Sequence, residues 1–133
     1  MSERVMRISI AIAAVINLAT GLYAGIAPGS FQEEVATYGA ENGHLIGDIA
    51  TAYLAIGLGL AIAIWRPSWR VPTLAIAAVW TGLHALNHLG DISEASNDGK
   101  GITDTILLGV GALLLAYLAW IAWRAPSPRE ETR

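Results

Sequence analysis

Apolar residues run through this chain in four blocks, each close to the roughly 20 residues that cross a hydrocarbon core, with the polar residues gathered mainly between them. The blocks lie at about residues 5–27, 44–65, 71–90 and 102–123. Each predicts a membrane-spanning helix, because a segment in lipid must satisfy its backbone hydrogen bonds internally. Only short connections remain in 133 residues. Residues 1–133 therefore read as one integral membrane domain, an all-α, four-helix transmembrane bundle.

The gaps carry local signals of their own. Ser30 and Glu33 have the S-x-x-E spacing of a capping box, which predicts a short surface helix with Phe31, Val35 and Tyr38 turned toward the bilayer or the bundle mouth. Asn42-Gly43 breaks the chain before the second span, and Asn97-Asp98-Gly99 predicts a tight turn within residues 93–101. Arg4 and Arg7 precede the first block in the manner of a leader peptide. The apolar run extends to about Ala27, however, which is longer than a leader's apolar region, so a retained span is expected.

Composition reinforces the membrane assignment: 54% of residues are hydrophobic, 14% are charged, and mean hydropathy is +0.50, well beyond an ordinary soluble domain. Charge then orients it. Seven of the eight basic residues, Arg4, Arg7, Arg66, Arg70, Arg124, Arg129 and Arg133, fall at one set of span ends, and only Lys100 lies elsewhere. The positive-inside rule places both termini in the cytoplasm, as an even number of spans requires, in a cytoplasmic membrane. The opposite loops carry Glu33, Glu34, Glu41, Asp48, Asp91, Glu94, Asp98 and Asp104, and this acidic face would concentrate cations. Trp65, Trp69, Trp120 and Trp123 suit an interfacial belt at the cytoplasmic side. There is no cysteine, hence no disulfide or thiolate ligand. No phosphate-binding Gly-rich loop, G-x-S-x-G motif or basic patch for nucleic acid is present.

All three histidines sit at the acidic end. His84, His88 and Asp91 are spaced i, i+4 and i+7 on one helix face, and Glu41, His44 and Asp48 echo them at i, i+3 and i+7. Ionisable groups held at membrane depth are costly and usually functional. Imidazole with carboxylate suits a divalent transition metal such as zinc, iron or manganese, so His44, Asp48, His84 and His88 are the expected ligands. Asp91 or Asp104 would act as catalytic base. Asn17, Thr20 and Tyr23 form a polar line on the first span, and interhelical hydrogen bonds from Asn17 and Tyr23 are expected to support the cofactor. Haem is an alternative, with His44 facing His84 or His88 across the bundle. The other alternative is that these groups simply meet water at the interface.

Thr20-Gly21-Leu22-Tyr23-Ala24 and Thr81-Gly82-Leu83-His84-Ala85 match closely enough to suggest a duplicated helical hairpin, which would pair Tyr23 with His84 and Asp48 with Asp104 around one centre. Small residues at Gly21 and Gly25, Gly43 and Gly47, Gly57 and Gly59, and Gly109 and Gly111 predict close helix contacts.

The Gly-rich second span, Asp48-Ile49-Ala50-Thr51-Ala52-Tyr53-Leu54-Ala55-Ile56-Gly57-Leu58-Gly59, followed by Arg66-Pro67 and another span, resembles the DoxX-like group of small four-span membrane proteins. The resemblance implies a four-helix bundle and, as in some relatives, a link to membrane redox or quinone chemistry; it carries over no site residue. Two main functions follow from the sequence. One is a membrane oxidoreductase or other metal-dependent enzyme acting on a lipid-soluble small molecule. The other is a membrane component that holds or transports a metal ion, haem or another cofactor for a membrane partner, alone or as a homo-oligomer. A structural subunit without metal is a third.

Overall fold

The computed structural model describes residues 1–39 and 42–125. Its first helix, α1 (Glu3–Ile26), starts where the Ser2 hydroxyl accepts from the Val5 amide at 3.3 Å, with Glu3 at the positive end of the helix dipole. Helix α2 (Pro28–Glu34) follows at once. Proline suits the first helical position because its missing N–H would be unpaired there anyway. This start puts Ser30 inside the first turn, and the expected capping box does not form.

Asn42 caps α3 (Gly43–Trp65) by accepting from the Leu45 amide at 3.1 Å. Helix α4 (Pro67–Gly90) again begins on a proline and is about one turn longer than the hydropathy block predicted. A single 3-10 turn, Ile92–Glu94, leads to α5 (Asp98–Arg124). There the Asn97 side chain accepts from the Lys100 amide at 2.9 Å, so the expected Asn97-Asp98-Gly99 turn is a cap and first helical turn.

Three helices, α1, α3 and α5, are long and apolar enough to cross a membrane. Helix α4 is as long as α1 at 24 residues, yet it is not among them. Arg70, His84, Asn87 and His88 lower its hydropathy.

The helices associate as two hairpins, α1 with α3 and α4 with α5, joined by the packing of α3 against α4. Glycine decides the first of these contacts. A Cβ on Gly21 would lie 2.8 Å from Leu54 Cγ, 2.9 Å from the Leu54 amide nitrogen and 3.0 Å from the Ala50 carbonyl oxygen, so two of its neighbours are backbone. Gly57 meets Leu18 as closely. Gly43, Gly47 and Gly109 face open space, and the contacts expected there are not made.

At the arginine-bearing end all four long helices contribute to one apolar core, in which Ile10, Leu60 and Leu74 are fully buried and Leu115 nearly so. Arg70 closes this end. Its guanidinium donates to both Glu3 carboxylate oxygens, at 2.6 and 2.8 Å, and to the Ala63 carbonyl at 3.3 Å, which answers most of the cost of burying the charge. At the other end Phe31 packs with Ala24, Ile46 and Ala50 and ties α2 to the first hairpin. The two loops meet above it: the Ser96 amide donates to the Thr37 carbonyl at 3.0 Å, and Tyr38 pairs with Ala95. The fold is a cup, sealed at the arginine end and roofed by loops at the other.

Candidate functional site

Between the roof and the core lies a cavity of about 570 Å³, within the usual range for a small-molecule site. On α3, Ile46, Ile49 and Tyr53 fall on one face at helical spacing and supply part of its wall. Helix α4 adds His84, Asn87 and His88, Asp91 follows at its C-terminal cap, and α5 adds Asp104, Leu107 and Leu108. Tyr38 and Gln32 come from the α2 side of the roof. Leu45, Leu107 and the isoleucines make one part of the lining apolar, while the α4 residues make another polar.

The i, i+4 spacing of His84 and His88 brings their Nε2 atoms to 3.0 Å. The Tyr53 hydroxyl stands 3.4 Å from His84 Nδ1, a long hydrogen bond, and the Trp80 ring lies edge-on to His84 at 6.2 Å. Tyr38 sits edge-on against His88 with ring centres 4.5 Å apart. Its hydroxyl donates to Asp104 Oδ2 at 3.1 Å, and Lys100 donates to the same oxygen at 2.7 Å. Burial, followed by the hydrogen bond to the Asp104 carboxylate, pushes the Tyr38 hydroxyl up to about 12, so it remains a donor at neutral pH. Among the described residues, two buried side-chain nitrogens have no hydrogen-bond partner, Trp80 Nε1 and His88 Nδ1.

The sequence-predicted residues divide clearly. His84, His88, Asp91 and Asp104 all line the cavity. Asp91 accepts from Asn87 at 3.1 Å, while one oxygen of Asp104 already has two donors. His44 and Asp48 do not line it. Their side chains are 91% and 67% exposed and stand 3.7 Å apart, because the inward face of α3 at this level belongs to Ile46, Ile49 and Ala50. Glu41 lies outside the described residues. The expected four-ligand arrangement is therefore not assembled, and among the described residues no three His, Asp or Glu side chains are grouped to hold a metal ion. No imidazole from α3 lines the cavity opposite His84 or His88, as a haem held across the bundle would need.

Asn17 is buried, but it donates to the Ala13 carbonyl of its own helix at 2.9 Å instead of bridging to another. Tyr23 donates to Glu34 at 2.7 Å, and of this polar line only Thr20 reaches the cavity. With Asp48 outward and Tyr23 engaged by α2, the four positions matched by the internal repeat do not share one centre. Tyr53 was not anticipated as a site residue, although its place on the 46/49/53 stripe marks it. Comparison with protein families, curated proteins and solved structures finds no match for this chain.

Proposed function

We propose that the chain is a four-span protein of the cytoplasmic membrane, with the arginine-rich end inside, and that its outer cavity takes a lipid-soluble amphiphile. Support for the topology comes from charge: Arg4, Arg7, Arg66, Arg70 and Arg124 share a level with the exposed Trp65, Trp69 and Trp123, and the acidic loops lie at the far end. Helix α4 serves as the fourth span because Arg70, His84 and His88 turn inward onto protein partners. Its low hydropathy averages in these inward residues together with Asn87, which is exposed near its outer end.

The observation that carries the ligand reading is the asymmetry of the cavity. Leu45 and Leu107 line it while remaining 52% and 64% exposed, so its rim continues into the surface assigned to lipid. The wall with His84, Asn87 and His88 offers hydrogen bonds instead. An occupant with an alkyl body and a polar head satisfies both. In an enzyme of this design, proton transfer falls to the imidazole pair and Asp91, since Asp104 is engaged by Lys100 and Tyr38. Irradiation of the protein in lipid nanodiscs with a diazirine-bearing alkyl alcohol tests the reading. Saturable labelling at Leu45, Ile49 or Leu107, competed by the unmodified alcohol, is expected; unsaturable labelling spread over the lipid-facing surface contradicts it.

The 3.0 Å approach of the two Nε2 atoms favours a second reading, in which His84 and His88 chelate zinc, iron or manganese. Such an ion would have two protein nitrogens, one fewer than the three protein ligands usual for a catalytic zinc, and open positions for water or the head group. Metal analysis of purified protein is then expected to give a stoichiometric ion that is lost in the His84→Ala/His88→Ala variant and retained in His44→Ala. A folded, metal-free wild type contradicts it.

A further inference from the structure

Fixed charge in the cavity lining has one sign. Asp91, Glu94 and Asp104 contribute to it, and among the described residues no lysine or arginine does. Asp104 is already engaged, because Lys100 and the Tyr38 hydroxyl both donate to its Oδ2. Asp91 accepts from the neutral Asn87 amide at 3.1 Å, and among the described residues neither Asp91 nor Glu94 forms an ion pair. The two flank one 3-10 turn, closed by the Glu94 amide donating to the Asp91 carbonyl at 2.9 Å, and side chains three residues apart on such a turn lie one above the other. The described arginines, Arg4, Arg7, Arg66, Arg70 and Arg124, are at the opposite end of the bundle, too far away to balance this charge.

We propose that the cavity selects amphiphiles whose head is a positively charged amine, held at the rim by Asp91 and Glu94 with the alkyl chain along Leu45, Ile49 and Leu107. The proposal rests on the amphiphile reading and names the head group. An ammonium brings several N–H donors and the charge that the two carboxylates lack, whereas an alcohol brings one neutral donor. A carboxylate or phosphate head sets like charge against Asp91 and Glu94, so the same rim turns away fatty acids and the phosphates of bulk lipid. The outer loops, with Glu33, Glu34 and Asp98, raise the concentration of cations at this mouth. An inorganic cation suits the cavity less well. Among the described residues no three His, Asp or Glu side chains are grouped to hold one, and it would leave the apolar wall of Leu45, Ile49 and Leu107 unfilled.

The test uses the full chain in phosphatidylcholine nanodiscs at neutral pH, where dodecylamine is protonated. The photoreactive alcohol is competed with dodecylamine, dodecanol or dodecanoate, which share one chain and differ in the head, each compared at equal amounts bound to the lipid. In the wild type, dodecylamine is expected to compete on the order of tenfold better than dodecanol, the difference between a charged and a neutral hydrogen bond, and dodecanoate worse than either. In Asp91→Asn/Glu94→Gln, which removes both charges and keeps the side-chain shapes, dodecanol competes as before and the advantage of the amine is lost. Added salt gives the same readout without a variant: screening at the exposed rim lowers the amine advantage and leaves dodecanol unchanged. Equal competition by amine and alcohol in the wild type, dodecanoate as effective as the amine, or an advantage that survives the double substitution or high salt overturns the cationic head while leaving the amphiphile reading intact. Absence of saturable labelling in the wild type removes both readings.

Discussion

Gly21→Val is expected to destabilise the folded bundle by about 3 kcal/mol, the upper part of the range for overpacking a filled contact. The added carbons meet the Leu54 amide nitrogen and the Ala50 carbonyl oxygen, and neither can move without parting α1 from α3. A flexible side chain would yield; backbone does not. Gly47→Ala is the matched control, because nothing lies within 4 Å of its added Cβ and alanine favours a helix by up to about 1 kcal/mol over glycine. Thermal unfolding in detergent reads both: a marked fall in Tm or loss of the monodisperse species for the first, and an equal or higher Tm for the second. Equal behaviour of the two variants would contradict the close crossing of α1 and α3.

Ile49→Trp is expected to abolish saturable labelling of the cavity by the photoreactive alcohol while the fold is retained. Ile49 lines the apolar wall between Ile46 and Tyr53, is only half-buried, and stands apart from the core at the arginine end. A larger ring there occupies ligand space without entering the close-packed region. Affinity should fall on the order of tenfold or more, a loss of at least about 1.4 kcal/mol. Ile76→Trp, on an exposed face of α4 away from the cavity, is the comparison and should label as wild type. Undiminished labelling in Ile49→Trp, with Tm unchanged, would remove the cavity from consideration as the binding site.

The long helices were legible as apolar blocks, and each observed long helix overlaps its predicted block, although only α1, α3 and α5 are long and apolar enough to cross a membrane. Their starts were less so. Pro28 and Pro67 begin helices by fixing the backbone, an effect that hydropathy does not register. The face shared by His84, His88 and Asp91 was legible from spacing alone, and it is the polar wall of the cavity. The same spacing rule failed for His44 and Asp48. It correctly puts the two residues on one face of α3, but the face that meets the bundle is chosen by Ile46, Ala50 and their packing with Phe31. Spacing tells which residues travel together, and burial decides where they go.

Other features depend on contacts between segments far apart in sequence. The Tyr38 bond to Asp104 follows from the pairing of two loops, residues 37–38 with 95–96, which carries no periodic signature. Asn17 had two ways to satisfy its amide, across to another helix or back to its own carbonyls, and the observed bond is to Ala13. The glycine pairs were informative in part: Gly21 and Gly57 make the close crossings expected of them, whereas Gly43, Gly47 and Gly109 face open space.

In the proposed topology α4 crosses the bilayer, which puts the cavity and the arginine cluster on opposite sides. The chain contains no cysteine, so single-cysteine variants can be labelled without background. Ser68→Cys marks the start of α4, and Ser96→Cys marks the loop beyond its end. In intact cells treated with a membrane-impermeant maleimide, Ser96→Cys is expected to react at once and Ser68→Cys only after the membrane is opened. Labelling of both from the same side would show that α4 does not span, and the four-span account would fail.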